Sequence, residues 1–293
     1  MAKRKIVFII VEGPSDDDSL GLFFDEFYDE FNVEVKVMHY DVTTTNGVNQ
    51  TNILSTIADI IKGFAANNHL NSSHFSEIIH IVDTDGVFIP NDKIEEETVG
   101  STIYHENRIV CKNKDNIIKR NAQKRKNIDK LINCGTIWRN IPYKIYYMST
   151  NLEHVLHNIQ NATDDEKEKL AHSFSKRYKN NLNGFISFIC ESTFSVCNEY
   201  NDSWDFIKKD LNSLKRYTNI GLCFKKKFFN KYSEGLFSWK KWLQFLQVNR
   251  LRYQINVMLF SAVLANSNVR FIEPLEITLL EPQFGQQVFS SFF

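Results

Sequence analysis

The chain has 293 residues, 43% hydrophobic and 13% aromatic, ample for a packed core, and its 35 Lys and Arg balance 35 Asp and Glu. That balance excludes net charge as an argument for binding nucleic acid or a membrane surface, so only the local distribution of charge is informative. Five cysteines without a C-x-x-C spacing fit neither a disulfide framework nor a cysteine zinc site, and they read as reduced thiols of a cytoplasmic protein.

The apolar run after MAKRK is too short for a signal-peptide core, and no run approaches the ~18 residues of a membrane span, so no membrane association is expected. That run, IVFIIV (6–11), is continuously β-branched and aromatic, the pattern of a central parallel strand covered on both faces. It stops at Glu12-Gly13-Pro14. Leu20, Phe23, Phe24, Phe27 and Phe31 then recur at helical spacing, with Ser15 as the expected N-cap and Asp16 to Asp18 in the first turn. VEVKVMHY (33–40) alternates as a more exposed strand, TTTNGVNQ loops, and Ile53, Leu54, Ile57, Ile60, Ile61 and Phe64 mark a second amphipathic helix.

IIHIV (78–82) is the next buried strand and ends on Asp83-Thr84-Asp85-Gly86; KIYYM (144–148) leads into a helix with Leu152, Val155, Leu156 and Ile159 on its apolar face. This alternation predicts an α/β domain over residues 1–160, doubly wound around a mostly parallel sheet, whose ligands bind at the carboxyl ends of the strands. Residues 161–293 read as a mainly helical appendage for substrate or partner binding. It includes an aromatic-rich helical segment at 239–260 and a strand pair within 269–280.

The expected strand ends bring Glu12, Asp83, Asp85 and Glu153 to one edge. Carboxylates so gathered repel one another unless cations neutralise them, which suits a hard-metal site, and all-oxygen ligands favour magnesium or manganese over zinc. Side chains one and three of an extended segment point the same way, so Asp83 and Asp85 are expected to hold one ion or bridge two, with Gly86 permitting the sharp exit. Taken singly, D-x-D-G and E-G are also what ordinary turns use.

The combination is more specific. An apolar strand ending in Glu12-Gly13, an aspartate in the next helix's first turn and a later IIHIVDTDG resemble the TOPRIM domain of topoisomerases, bacterial primases, small ribonucleases, recombination-repair proteins and OLD-family nucleases. The resemblance covers residues 5 to 90 and extends more loosely to 160. It implies that Glu12 serves in acid/base chemistry and metal binding while Asp83 and Asp85 hold magnesium. The further acidic position falls on Asp16, with Asp17 as its rival. YYMSTNLEHVL is similar to the strand-then-acidic-helix element of OLD-like, stand-alone TOPRIM proteins of prokaryotic defence loci, which implies Glu153 as another metal ligand.

The implied activity is phosphodiester hydrolysis of DNA or RNA, tRNA included, with two Mg2+ or Mn2+ ions, in anti-phage defence. Topoisomerase activity is set aside, since the chain has no room for strand-passage machinery. With no Walker A motif here, any ATP sensing would belong to a separate ATPase partner chain. Two alternatives stand beside this reading. One is a non-catalytic TOPRIM-fold interaction or sensor subunit; the other is a haloacid-dehalogenase-like phosphatase with Asp83 as phosphoryl acceptor and Asp85 as general acid, which leaves Glu12 unexplained.

Residues 6–35 carry nine acids and no Lys or Arg, whereas 112–130 carry eight basic residues against two acids. Lys119, Arg120, Lys124, Arg125 and Lys126 of that basic segment are candidates for phosphate contact, or else form a solvated helix face. Lys225 to Lys227, Lys240 and Lys241, interleaved with Phe228, Phe229, Trp239 and Trp242, either stack on single-stranded nucleic acid or belong to a core.

Overall fold

The computed structural model describes residues 4–197 and 199–225, together with the backbone of three strands further on. Contacts divide the chain into two compact units, Met1–Lys231 and Tyr232–Phe293. Among the described residues no helix is long and apolar enough to cross a membrane.

The first unit opens with β1 (Lys5–Val11), buried at every position after Lys5, as its unbroken apolar run requires. Helix α1 (Pro14–Asp29) follows at once. Its N-cap is Gly13 rather than the expected Ser15, because Pro14 takes the first helical position, where a missing N–H costs nothing, and the Asp16 carboxylate accepts from Gly13 N at 2.7 Å. Then come β2 (Val33–His39), α2 (Ile53–Asn67) and β3 (Phe75–Asp83). After β3 the chain makes an excursion: β4 (Ile94–Glu96), β5 (Ile103–His105), β6 (Arg108–Cys111), the 19-residue α3 (Lys114–Ile132) and β7 (Thr136–Ile137). It returns through β8 (Ile141–Met148) and continues in α4 (Leu152–His157), α5 (Asp164–Tyr178), α6 (Leu182–Glu191) and α7 (Tyr200–Ile207).

The main sheet has the order β2-β1-β3-β8-β7, with the first four strands parallel and β7 antiparallel to β8. Chain connections leave β1 toward β2 on one side and toward β3 on the other. The boundary between β1 and β3 is therefore the topological switch point, where an open α/β sheet leaves a crevice at its carboxyl edge. The excursion forms a small sheet of order β4-β6-β5 with its own core of Ile89, Ile94, Ile109, Cys111 and Leu214.

One face of the main sheet packs Phe8, Ile10 and Tyr147 against Ile53, Ile57 and Ile61 of α2. Phe23, Phe24 and Phe27 of α1 gather the later helices. Phe23 stacks on Phe185 of α6 at 4.1 Å between ring centroids and meets Phe174 and Tyr178 of α5 edge-on, while Phe24 stacks on Phe224. Helices α5 and α6 thus share a core with the α/β sheet, and the contacts divide the chain after Lys231 rather than at 160.

In the second unit β9 (Gln254–Asn256), β10 (Glu276–Leu280) and β11 (Gln287–Ser291) form an antiparallel sheet of order β11-β10-β9. The expectation of a helix over 239–260 is corrected at Gln254-Ile255-Asn256, which pairs as a strand with Thr278–Leu280. EITLL has the β-branched character that favours such pairing. The rest of 239–260 and residues 269–275 lie outside the described residues, as do the aromatic and basic candidates from Lys226 to Trp242.

Candidate active site

Strand register sets the site. Ile10 pairs with His80 across β1 and β3, and Asp83 pairs with Met148 across β3 and β8, so Glu12 and Asp83 leave neighbouring strands at the switch point. The segments after β3 and β8 are stitched together: Thr84 N donates to Met148 O (2.8 Å), Asp85 N to Thr150 O (2.9 Å) and Thr150 N to Thr84 Oγ1 (2.9 Å). Thr84 Oγ1 in turn donates to Ser213 O at 3.0 Å, tying the turn to the chain after α7.

Asp85 adopts a left-handed backbone, φ 47°, and Gly86 follows at φ 65°. The expectation that Asp83 and Asp85 project in parallel from an extended segment is therefore corrected, because the chain has already left the strand geometry at Asp85. Left-handed backbone is costly for a residue other than glycine and persists where surrounding bonds over-determine it.

The central contact was not foreseen. Lys124 of α3 is completely buried, and its ammonium donates to Glu12 Oε1 at 3.0 Å, Glu12 Oε2 at 3.4 Å and Asp85 Oδ2 at 2.6 Å. Tyr104 OH donates to Asp85 Oδ1 at 3.3 Å, and Arg120 donates to Tyr104 OH at 3.0 Å and to Asp85 O at 3.1 Å. Burial alone would lower the Lys124 pKa, but Asp85, Glu12 and Asp41 outweigh it and hold the ammonium charged. Asp41, just beyond β2, accepts from Thr43 N (3.0 Å), Thr44 N (3.2 Å) and Thr43 Oγ1 (2.9 Å). Its burial is offset by Lys124 and these donors, so its pKa falls below the ordinary value.

Other carboxylates are less well compensated. Glu12 is pushed up to about 8 by burial and by Asp41 and Asp85, against the pull of Lys124. Asp16 is buried and rises to about 7, through burial and the nearby Glu153, despite the Gly13 N–H. Asp83 is raised well above the carboxylate range by burial and by Glu12, Asp16 and Asp85, and among the described residues no hydrogen bond is donated to it. Glu153, buried on α4, lies 3.5 Å from the donor Ser15 Oγ. Asp17, the rival of Asp16, turns away to a half-exposed pair with His39 at 3.1 Å.

All five sequence-derived carboxylates thus fall on or beside one edge, linked directly or through their mutual electrostatics. Three of the five basic candidates do not form an outer face: Lys124 is internal, Arg120 holds Asp85 and Tyr104, and Arg125 donates to Val87 O at 3.1 Å. Lys119 and Lys126 are exposed. Asp41, Tyr104 and the inward role of Lys124 were missed. The legible signal was in α3, whose buried stripe reads Asn121, Lys124, Asn127, Ile128, Leu131, a helix face that carries polar residues where apolar ones are the rule.

Among the described residues no three His, Cys, Asp or Glu side chains are grouped as ligands ready to hold an ion. The donor set nevertheless fits a hard cation. Its atoms are carboxylate oxygens, no hydrogen bond is donated to Asp83 among the described residues, and Lys124 is spent on Glu12 and Asp85 while Arg120 binds the Asp85 carbonyl. Comparisons with protein-family models, curated proteins and solved structures return no match.

Proposed function

We propose that the chain is a TOPRIM-like, divalent-cation-dependent phosphodiesterase acting on DNA or RNA, tRNA included, in anti-phage defence. The carrying observation is the meeting of Glu12 and Asp83, with Asp85 and Asp16 beside them, at the switch point between β1 and β3. That is where doubly wound sheets bind ligands, and the crowding that raises Asp83, to which no hydrogen bond is donated among the described residues, favours a functional over a structural cluster.

A bound Mg2+ or Mn2+ would supply Lewis acidity toward a phosphate oxygen and a water of lowered pKa. Asp83 would be its first ligand, with Asp16 beside it and Glu153 beside Asp16 as the further carboxylates that would have to draw in around an ion. Glu12, with a pKa of about 8, is suited to exchanging a proton near neutral pH. Lys119 and Lys126, exposed on α3, are available to the phosphate backbone. An ATPase, if the system needs one, is a separate chain.

The test is cleavage of labelled DNA, RNA and tRNA with magnesium or manganese, comparing wild type with Glu12→Gln and Asp83→Asn. Both variants are expected to lose at least a hundredfold in rate; activity untouched by either removes the assignment. One observation favours the non-catalytic sensor reading: Lys124 already neutralises Glu12 and Asp85 within the fold. Inactivity on every substrate, alone and with an ATPase encoded beside it, would decide for that reading.

A further inference from the structure

We infer that Lys124 is a resident cation standing where a second metal ion would sit, so that the site takes one divalent ion rather than two. The inference rests on the metal-dependent reading above and concerns the number of ions that reading requires.

Geometry carries it. Lys124 Nζ bridges Glu12 and Asp85 with contacts of 3.0, 3.4 and 2.6 Å. These are hydrogen-bond distances, longer than the ~2.0–2.1 Å at which magnesium binds oxygens, so the ammonium fills the position between the two carboxylates and no ion can share it while Lys124 is there. The side chain is completely enclosed, at 0% exposure, which leaves it no rotamer in solvent.

Nor is its helix free to withdraw. The residues flanking Lys124 bind backbone carbonyls of the loops around the site. Gln123 donates to Val48 O at 2.8 Å, Arg125 to Val87 O at 3.1 Å, Asn127 to Thr43 O at 2.9 Å and Arg120 to Asp85 O at 3.1 Å. A lysine acting as a removable latch would sit on a mobile or exposed segment. This one is built in from both sides, and Asp85 is held in its left-handed turn by the same helix.

The consequence is a division of labour. Lys124 supplies one fixed positive charge on the Glu12–Asp85 side of the crevice. Asp83, to which no hydrogen bond is donated among the described residues, is left as the centre for a single divalent ion.

The experiment is Mn2+ titration of the full chain, with free Mn2+ followed by electron paramagnetic resonance and stoichiometry checked by calorimetry. Wild type is expected to bind one Mn2+ per chain, Asp83→Asn none, and Lys124→Ala two, because the vacated charge and volume admit a second ion. Lys124→Arg, which keeps the charge, is expected to stay at one. Two ions in wild type would overturn the inference while leaving the metal reading intact. No ion in wild type would overturn the metal reading itself, and the inference with it. The wild-type count decides even where Lys124→Ala fails to fold.

Discussion

Lys124 Nζ lies 3.0 Å from Glu12 Oε1, a contact made across 112 positions of sequence by two side chains that local pattern places in different roles. It joins the excursion after β3 to the first strand end, and it makes the carboxyl edge of the sheet a cooperative electrostatic unit rather than a row of acids.

Removing the ammonium takes away the cation between Glu12 and Asp85 and leaves, among the described residues, only the Tyr104 hydroxyl on the Asp85 carboxylate, so Lys124→Met is expected to destabilise the protein by about 3–5 kcal/mol in metal-free buffer. The double variant Lys124→Met, Glu12→Gln is expected to lose less than the sum of the two single losses. Urea unfolding of the four proteins in EDTA measures the cycle, and strict additivity would mean that the pair is energetically uncoupled.

Asp83 presents the opposite case. Its carboxylate is crowded by Glu12, Asp16 and Asp85 and has no donor among the described residues. Asp83→Asn is expected to raise metal-free stability at pH 8 by on the order of 1 kcal/mol, while the thermal shift on adding Mn2+ disappears. A variant less stable than wild type would show that the charge is well accommodated in the fold.

Gly86 has φ 65°, and a Cβ there would come within 2.5 Å of Leu214 Cδ2 and 3.1 Å of Ile109 Cδ1. Gly86→Ala therefore combines a left-handed penalty with a steric clash, and a loss of about 2–4 kcal/mol is expected. Denaturant midpoints check it; a loss near zero would mean that the turn relaxes to another conformation.

Stability should carry a histidine signature in acid. His80 is buried with Nδ1 at 2.8 Å from Tyr143 OH, and burial depresses its pKa from 6.5 to about 3. Below pH 6.5 the unfolded chain takes up a proton that the folded one refuses until about 3, so this contribution to stability is lost as the pH falls through that window. Glu12 and Asp16 act in the other sense: their folded values of about 8 and 7 lie above the ordinary 4.5 and 3.8, so they favour the folded state increasingly as the pH falls from 8. His80→Phe removes only the histidine branch. Unfolding free energies of wild type and variant are expected to change in parallel above pH 6.5 and to diverge below it, with wild type losing more; curves parallel down to pH 4 would refute the depressed value.

A fragment ending at residue 160 would leave Phe23, Phe24 and Phe27 without Phe174, Phe185 and Phe224. It is expected to aggregate or bind hydrophobic dyes, since each large aromatic left unpacked costs about 3–5 kcal/mol. A soluble fragment with cooperative unfolding would show that α1 finds other cover.

The sequence by itself determined the strands and where they end. β1, β3 and β8 are long apolar runs whose burial is a local consequence of composition, and Glu12 and Asp83 inherit their place from where those runs stop. Asp16 over Asp17 was open in sequence; with the helix starting at Pro14, Asp16 is buried and accepts from Gly13 N while Asp17 pairs with His39 outside. Only the tertiary structure decided the direction of Asp85, because its left-handed backbone is imposed by Thr150 and Arg120 rather than by its neighbours in sequence. It also decided that Lys124 and Arg120 face inward. A lysine-rich helix has the same periodicity whether its charges meet phosphate, water or buried carboxylates, and the choice is made by which acids the sheet topology has already gathered beneath it.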